Sequence, residues 1–396
     1  MTGKMRHYSV CIIVYVSCFF LRTSLLAQSD SAIANKFSPA VNIYGGALIK
    51  SYPDVPHSNH TLLAGLALTW QTYGADNWHQ LYRFPKLGAE VIFADFGNRE
   101  FLGQAIGFIP TLELKGSAKR KWRFKAGFGA AYYNKPYDVV TNPKNFYIGG
   151  NFTNMSIFSL FWQSHMSKKC LLNYGITVFH SSNGHTTLPN AGMNMITAGL
   201  GISLKHDNKF HAGTDTVVNR KWSYAVKAGL GFHEFGATTK AVGGPGYPSY
   251  HLSLWMNKPF RRSGVFQAGL ITGYYTSFYD YIISQQLYDS HERLRSFTAV
   301  LFGGHEFVFG KFSFCAQAGI YVYNPFYIKQ KKAEGTWNQL SNKLEGFNTN
   351  RIGLNYYPLK HRNSLNRLNS QLQLGIYLKS NVAQADLFEY SVGYIF

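Results

Sequence analysis

His180, Ser182 and Asn194 have the types and spacing that nucleophilic catalysis requires. The chain reads Val178-Phe179-His180-Ser181-Ser182-Asn183-Gly184, and on a strand a His-x-Ser pair puts both side chains on one face, with Cα atoms about 6.6 Å apart. An imidazole at that spacing can take the hydroxyl proton, so the pair reads as a base beside its nucleophile. Leu172, Tyr174, Ile176 and Val178 share the parity of His180 and Ser182, while Asn173, Gly175, Thr177 and Ser181 take the other face. On the following run Asn194 shares its parity with Ile196, Ala198, Leu200, Ile202 and Leu204. Three polar side chains therefore sit on otherwise apolar faces. Asparagine can orient a histidine in such a set, and backbone N–H groups at Asn183 and Gly184 are placed to receive an oxyanion in the turn after the strand. Glu234, with the parity of Phe232 at the end of a later run, is a candidate carboxylate for the same imidazole. The plainer explanation, a Ser-Asn-Gly turn ending a strand, leaves the shared apolar face unexplained.

The elements that must position these residues are strands. Trp122, Phe124, Ala126, Phe128, Ala130 and Tyr132 alternate with Arg123, Lys125, Gly127, Gly129, Ala131 and Tyr133. The same period of two sets Leu372, Leu374, Ile376 and Leu378 against Gln371, Gln373, Gly375, Tyr377 and Lys379, and recurs over 222–233. An interior of Lys, Arg, Gln and Gly cannot form a dry core, so the apolar faces are expected to meet lipid and the polar faces to line a lumen. A β-sandwich would bury the apolar faces instead. The alternation of Phe388, Tyr390, Val392, Tyr394 and Phe396 favours the barrel, because outer-membrane barrels resemble this in ending on an amphipathic strand with a terminal aromatic.

The expected fold is all-β, a transmembrane antiparallel β-barrel of about 16 strands (range 12–16). The runs lie near 39–49, 59–71, 88–97, 102–115, 121–134, 149–165, 168–182, 190–206, 221–235, 248–260, 263–279, 294–309, 311–325, 348–357, 369–380 and 386–396. The motif ends the seventh run, which in a barrel with periplasmic termini points its end to the outer leaflet. A polar trio facing lipid there is costly unless it serves a substrate embedded in the membrane. One domain, 28–396, is expected, with halves 40–206 and 207–396.

Lys4, Arg6 and His7 precede an apolar run from Tyr8 to Leu21, and Leu25-Leu26-Ala27 supplies a small residue before Gln28. This reads as a signal peptide over 1–27, the run being short for a spanning helix. The 396 residues carry 39 Lys+Arg against 19 Asp+Glu, with 27 Tyr, 31 Phe and 7 Trp. That excludes a disordered chain, and the net charge of +20 favours an anionic partner. For an exported protein, that partner is phospholipid or lipopolysaccharide phosphate rather than nucleic acid. Two of the four cysteines, Cys11 and Cys18, leave with the leader, so Cys170 and Cys315 make no disulfide scaffold. His165 and His185 lack metal-ligand spacing. Gly243-Gly244-Pro245-Gly246 fits no phosphate-binding loop, and no cofactor is expected.

His180-Ser181-Ser182-Asn183, continuing more weakly through Pro189-Asn190 and Gly192, resembles the outer-membrane lipid A 3-O-deacylases of PagL type, in the acyloxyacyl hydrolase class. The resemblance covers roughly 40–206. It implies a barrel-borne carboxylic ester hydrolase in the outer membrane, acting on lipid A of lipopolysaccharide, with His180 and Ser182 in a Ser-His-Glu set. Twelve residues after the serine this chain has Asn194 where the family has glutamate. The resemblance leaves 207–396 without a role. Two other functions fit the pattern of strands alone: a channel or transporter with a cationic lumen, and a catalytically silent structural barrel.

Overall fold

The computed structural model describes residues 37–116, 122–205, 221–239, 243–260, 264–359, 371–382 and 384–396. The expected signal peptide, the 207–220 connection and Arg261-Arg262 lie outside them.

Sixteen strands are present among the described residues, in two closed antiparallel rings of eight rather than one ring of sixteen. The first ring contains β1 (Phe37–Ile49), β2 (Thr61–Gln71), β3 (Lys86–Asp95), β4 (Gln104–Lys115), β5 (Trp122–Tyr133), β6 (Phe152–His165), β7 (Cys170–Ser182) and β8 (Met193–Leu204). It closes where β8 pairs with β1, from Ala40 opposite Ser203 to Ile49 opposite Asn194. The second contains β9 (Ser223–Glu234), β10 (Gly246–Phe260), β11 (Gly264–Tyr275), β12 (Phe297–Phe309), β13 (Phe312–Tyr323), β14 (Asn348–Tyr356), β15 (Gln371–Asn381) and β16 (Gln384–Ile395), and closes through β16 and β9. Alternation tells each strand which face is apolar, but not which strand closes the ring. The chain forms two compact units, and short stretches at 74–82 and 184–190 belong to the second.

In the first barrel the alternation appears directly as burial. Ile176 is 57 % exposed and Thr177 only 3 %, and Val41, Ile43, Leu62, Leu66, Phe93 and Leu200 also present exposed apolar side chains outward. Such an exterior is that of a transmembrane barrel, where lipid replaces a packed core. Inside, Glu90 accepts from Asn42 Nδ2 at 2.8 Å and Tyr44 Oη at 2.7 Å, and faces Lys125 Nζ at 2.7 Å. The interior is not uniformly polar as the sequence predicts. Leu63, Ile92, Ile109, Met155, Ile157, Phe179 and Met195 form a buried apolar cluster within it. A ring of eight is narrow enough for side chains to fill.

The second barrel is filled as well. Glu389 lies 3.1 Å from Lys227 Nζ and 2.8 Å from Arg351 Nη1, all three buried. Glu306 takes bonds from Gln267, Ser313 and Tyr357. A cavity beside His251, Gln317, Arg351 and Lys379 measures about 10 Å³, room for about one water. Among the described residues, five short helices lie outside the strands: α1 (Asn77–Leu81), α2 (Thr276–Ser284), α3 (Glu292–Arg295), α4 (Pro325–Ala333) and α5 (Leu340–Phe347). Two of them bring Phe278 and Phe326 into a stack at 4.1 Å, and Phe278 also stacks on Tyr275 at 4.4 Å.

Candidate active site

The strand β7 carries His180 and Ser182, and its neighbours supply the remaining polar groups. Register puts Asn194 of β8 opposite His180 and Asn154 and Ser156 of β6 opposite Ser182 and His180. All five share the outward parity of their strands, in line with exposed Leu160, Tyr174, Ile176 and Ile196. One step further along the strands the same face is apolar, with Phe158, Val178 and Ile196 in register. The polar patch is therefore local and bounded by hydrocarbon side chains.

His180 Nδ1 is 2.8 Å from Asn194 Oδ1. An amide oxygen there accepts Nδ1–H, which leaves the Nε2 lone pair as the ring's basic site. The asparagine does for tautomer and ring orientation what a carboxylate does, without its negative charge. Ser182 is only 6 % exposed, less open than its parity alone predicts. Ser181 points the opposite way, fully buried, and receives the Tyr133 hydroxyl.

Gly192 lets the ring and the serine approach a common space. Its φ is +71°, a conformation that disfavours a β-carbon. A β-carbon built there would lie 3.5 Å from His180 Cε1, 3.8 Å from Ser182 Cβ and 3.2 Å from the Ser181 carbonyl oxygen. Gly184, at φ +63°, is equally constrained. Asn183 and Gly184 are both buried, in the turn where the sequence predicts oxyanion donors.

Glu234 is buried at the end of β9, and each carboxylate oxygen accepts a backbone N–H. Leu188 donates to Oε2 at 2.7 Å and Gly244 to Oε1 at 3.1 Å. Its described bonds are thus to the loop after the motif and to the loop after β9. His185, in the first of these loops, is buried, and desolvation holds its imidazole below the ordinary value against the opposing pull of Asp386, the Gly236 backbone and Glu234.

Sequence reasoning missed Asn154 and Ser156. The signal is present, since they interrupt the outward face of Phe152, Phe158, Leu160 and Trp162. Ser156 Oγ donates to Asn154 Oδ1 at 2.7 Å, and Asn154 Nδ2 donates to the Gly129 carbonyl at 2.8 Å.

Residues 63–203 match the family model described as lipid A 3-O-deacylase (PagL), a stretch that contains every member of the patch. No curated protein sequence matches the chain. Among solved structures, the outer-membrane enzyme PagL is similar at 14 % identity and a TM-score of 0.29, covering 41 % of this chain and 97 % of its own. OccAB1 of Acinetobacter baumannii is similar at 6 % identity and a TM-score of 0.25, covering 94 % of this chain and 98 % of its own. CdiB of Acinetobacter baumannii follows at 8 % identity and 0.19, covering 91 % and 60 %.

Proposed function

We propose that this chain is an outer-membrane hydrolase that removes an ester-linked acyl chain from lipid A. The observation that carries the reading is the His180–Asn194 contact of 2.8 Å, set beside Ser182 on an outward apolar face and inside the stretch that matches the deacylase family. An enzyme whose substrate ester lies among acyl chains needs its nucleophile on that face rather than in a lumen. The filled interiors of both barrels are consistent with a site on the wall.

His180 Nε2 takes the Ser182 proton as Oγ attacks the ester carbonyl. The resulting oxyanion draws on backbone N–H groups of Asn183 and Gly184. Collapse of this intermediate expels the sugar hydroxyl, which takes the proton back from His180, and leaves an acyl-serine. Water, deprotonated by the same nitrogen, then releases the fatty acid and restores the hydroxyl. Asn194 keeps Nδ1 protonated throughout but adds no charge against the imidazolium, so turnover is slow for a triad of this form. Residues 1–27 serve as the export signal.

Mass spectrometry of lipid A from cells expressing wild type, His180→Ala and Ser182→Ala tests this. Loss of one acyl chain in wild type alone supports the hydrolase. Identical spectra from all three remove it and leave a structural barrel.

A further inference from the structure

The turn at Gly192 adjoins both reacting side chains, and it is held by a loop of the same barrel. Ala191 N–H donates to the Phe146 carbonyl at 2.9 Å and Gly192 N–H to the Tyr147 carbonyl at 3.0 Å. The connection between β5 and β6, residues 134–151, therefore backs the chain as it enters β8. Loop, turn, His180 and Ser182 all belong to the first compact unit. The loop is braced from within. Tyr147 and Ile148 are buried in the apolar cluster of this barrel, with Phe146 packed against it, so backbone groups there must find partners in the protein rather than in water. Asn145 meets part of that need. Its side chain is fully buried, Nδ2 donates to the Lys135 carbonyl at 2.6 Å, and Oδ1 accepts Tyr147 N–H at 3.2 Å. An asparagine carries donor and acceptor on one short amide. One side chain thus ties the two legs of the loop together, at the residue whose own carbonyl receives Gly192.

We infer that Asn145 is a positioning residue for the reaction at Ser182, acting through Tyr147 and the Gly192 turn. This rests on the hydrolase reading above. A β-carbon at Gly192 would come within 3.5 Å of His180 Cε1 and 3.8 Å of Ser182 Cβ, so movement of that turn changes the space in which ring and hydroxyl meet. A displacement of about 1 Å in a catalytic group can cost on the order of 100-fold in rate. Asn142 steadies the same loop from its other side, donating through Nδ2 to the Phe101 carbonyl at 2.9 Å and the Pro136 carbonyl at 3.0 Å. The role is indirect: Asn145 fixes the loop backbone, and the loop backbone fixes the turn.

The test uses the purified full chain in detergent with lipid A, comparing wild type, Asn145→Ala, Gly192→Ala, the two combined, and Asn142→Ala. Asn151→Ala is the control, since it removes only a bond at the foot of the same loop, from Nδ2 to the Tyr133 carbonyl at 2.9 Å. Each is assayed for kcat and KM, for folded migration on unheated gels, and for hydrogen exchange of the Ala191 and Gly192 amides by mass spectrometry. The expected result is a folded Asn145→Ala chain in which those amides exchange faster. Its kcat should fall about 10- to 100-fold, with KM within about twofold. In the Gly192→Ala background the same substitution should cost less than about threefold more, because both act on one turn. Asn151→Ala should stay within about threefold of wild type. Asn142→Ala should move as Asn145→Ala does and carries the test if Asn145→Ala does not fold. Faster exchange with wild-type kcat overturns the inference, as do unchanged exchange, full additivity with Gly192→Ala, or an equal loss in Asn151→Ala. A wild type that leaves lipid A intact overturns the hydrolase reading and this inference with it, whereas an active wild type beside a loosened, fully active Asn145→Ala sinks this inference alone.

Discussion

Asn194 holds His180 from the neighbouring strand: the two are register partners in β7 and β8, with amide oxygen and Nδ1 2.8 Å apart. The pairing orients the ring and fixes its tautomer, and it leaves the imidazolium without a counter-charge. Asn194→Asp keeps the shape and adds the charge, so it should raise the deacylation rate by about tenfold or more. Asn194→Ala should lower it by about tenfold, since the tautomer is no longer fixed. Initial rates of fatty-acid release from purified lipid A decide both, and a slower Asp variant would contradict the assigned role.

Gly192 fills no space where His180 and Ser182 converge. Gly192→Ala should cut the rate by about tenfold or more, because a methyl at a left-handed backbone position shifts the turn that flanks both side chains. The barrel itself should survive, the strain being of order 1–3 kcal/mol. Folded gel migration with lost activity is the expected pair of readings.

Asn154 and Ser156 extend the patch onto β6 and should separate function from stability. Asn154→Leu replaces a polar group on a lipid-facing parity with an apolar one, so unfolding in urea should be unchanged or harder. Activity should nevertheless fall about 3- to 10-fold, the worth of one or two hydrogen bonds around the site. A destabilised but fully active variant would show that the pair is structural.

His185 makes docking of the 184–190 loop depend on pH. Burial depresses its pKa below the ordinary 6.5, despite Asp386, Gly236 and Glu234. The undocked loop therefore binds more protons than the docked one as pH falls below about 6.5, and docking weakens in that direction while staying flat above it. Amide hydrogen exchange of the 184–190 backbone, corrected for its intrinsic pH dependence, should speed up below about pH 6.5. In His185→Gln the speed-up should vanish.

Glu389 pairs with two buried cations in the second barrel, Lys227 and Arg351. Glu389→Gln leaves Lys227 and Arg351 uncompensated and should cost about 3–5 kcal/mol of unfolding free energy, read from urea titrations in lipid vesicles. A change below about 1 kcal/mol, the scale of a surface pair, would show that water reaches those groups.

Strand positions were legible because a membrane barrel writes its two faces into every second residue. Runs expected at 168–182 and 190–206 correspond to β7 and β8, and the register pairs His180 with Asn194; Ile176 and Leu200 on the same parity are exposed, whereas Ser182 is buried, which parity alone did not predict. Ring closure was not legible. The pairing of Ile49 with Asn194 joins strands far apart in sequence, and an identical alternation would serve a single larger ring. The apolar cluster around Phe179 inside the first barrel also escaped, since side chains on the inner face can pack on one another once the ring is narrow. Nor were the bonds from Leu188 N–H and Gly244 N–H to the Glu234 carboxylate legible, since contacts between loops and a side chain leave no periodicity in the sequence.

The most direct test of the account is single-turnover hydrolysis of purified lipid A in ¹⁸O-labelled water by wild type and Ser182→Ala. Attack by Ser182 on the acyl carbonyl predicts that wild type releases one fatty acid carrying the label in its carboxyl group, with an unlabelled sugar hydroxyl on the product, and that Ser182→Ala releases none. Equal release from both proteins, label in the sugar hydroxyl, or no release from wild type contradicts it.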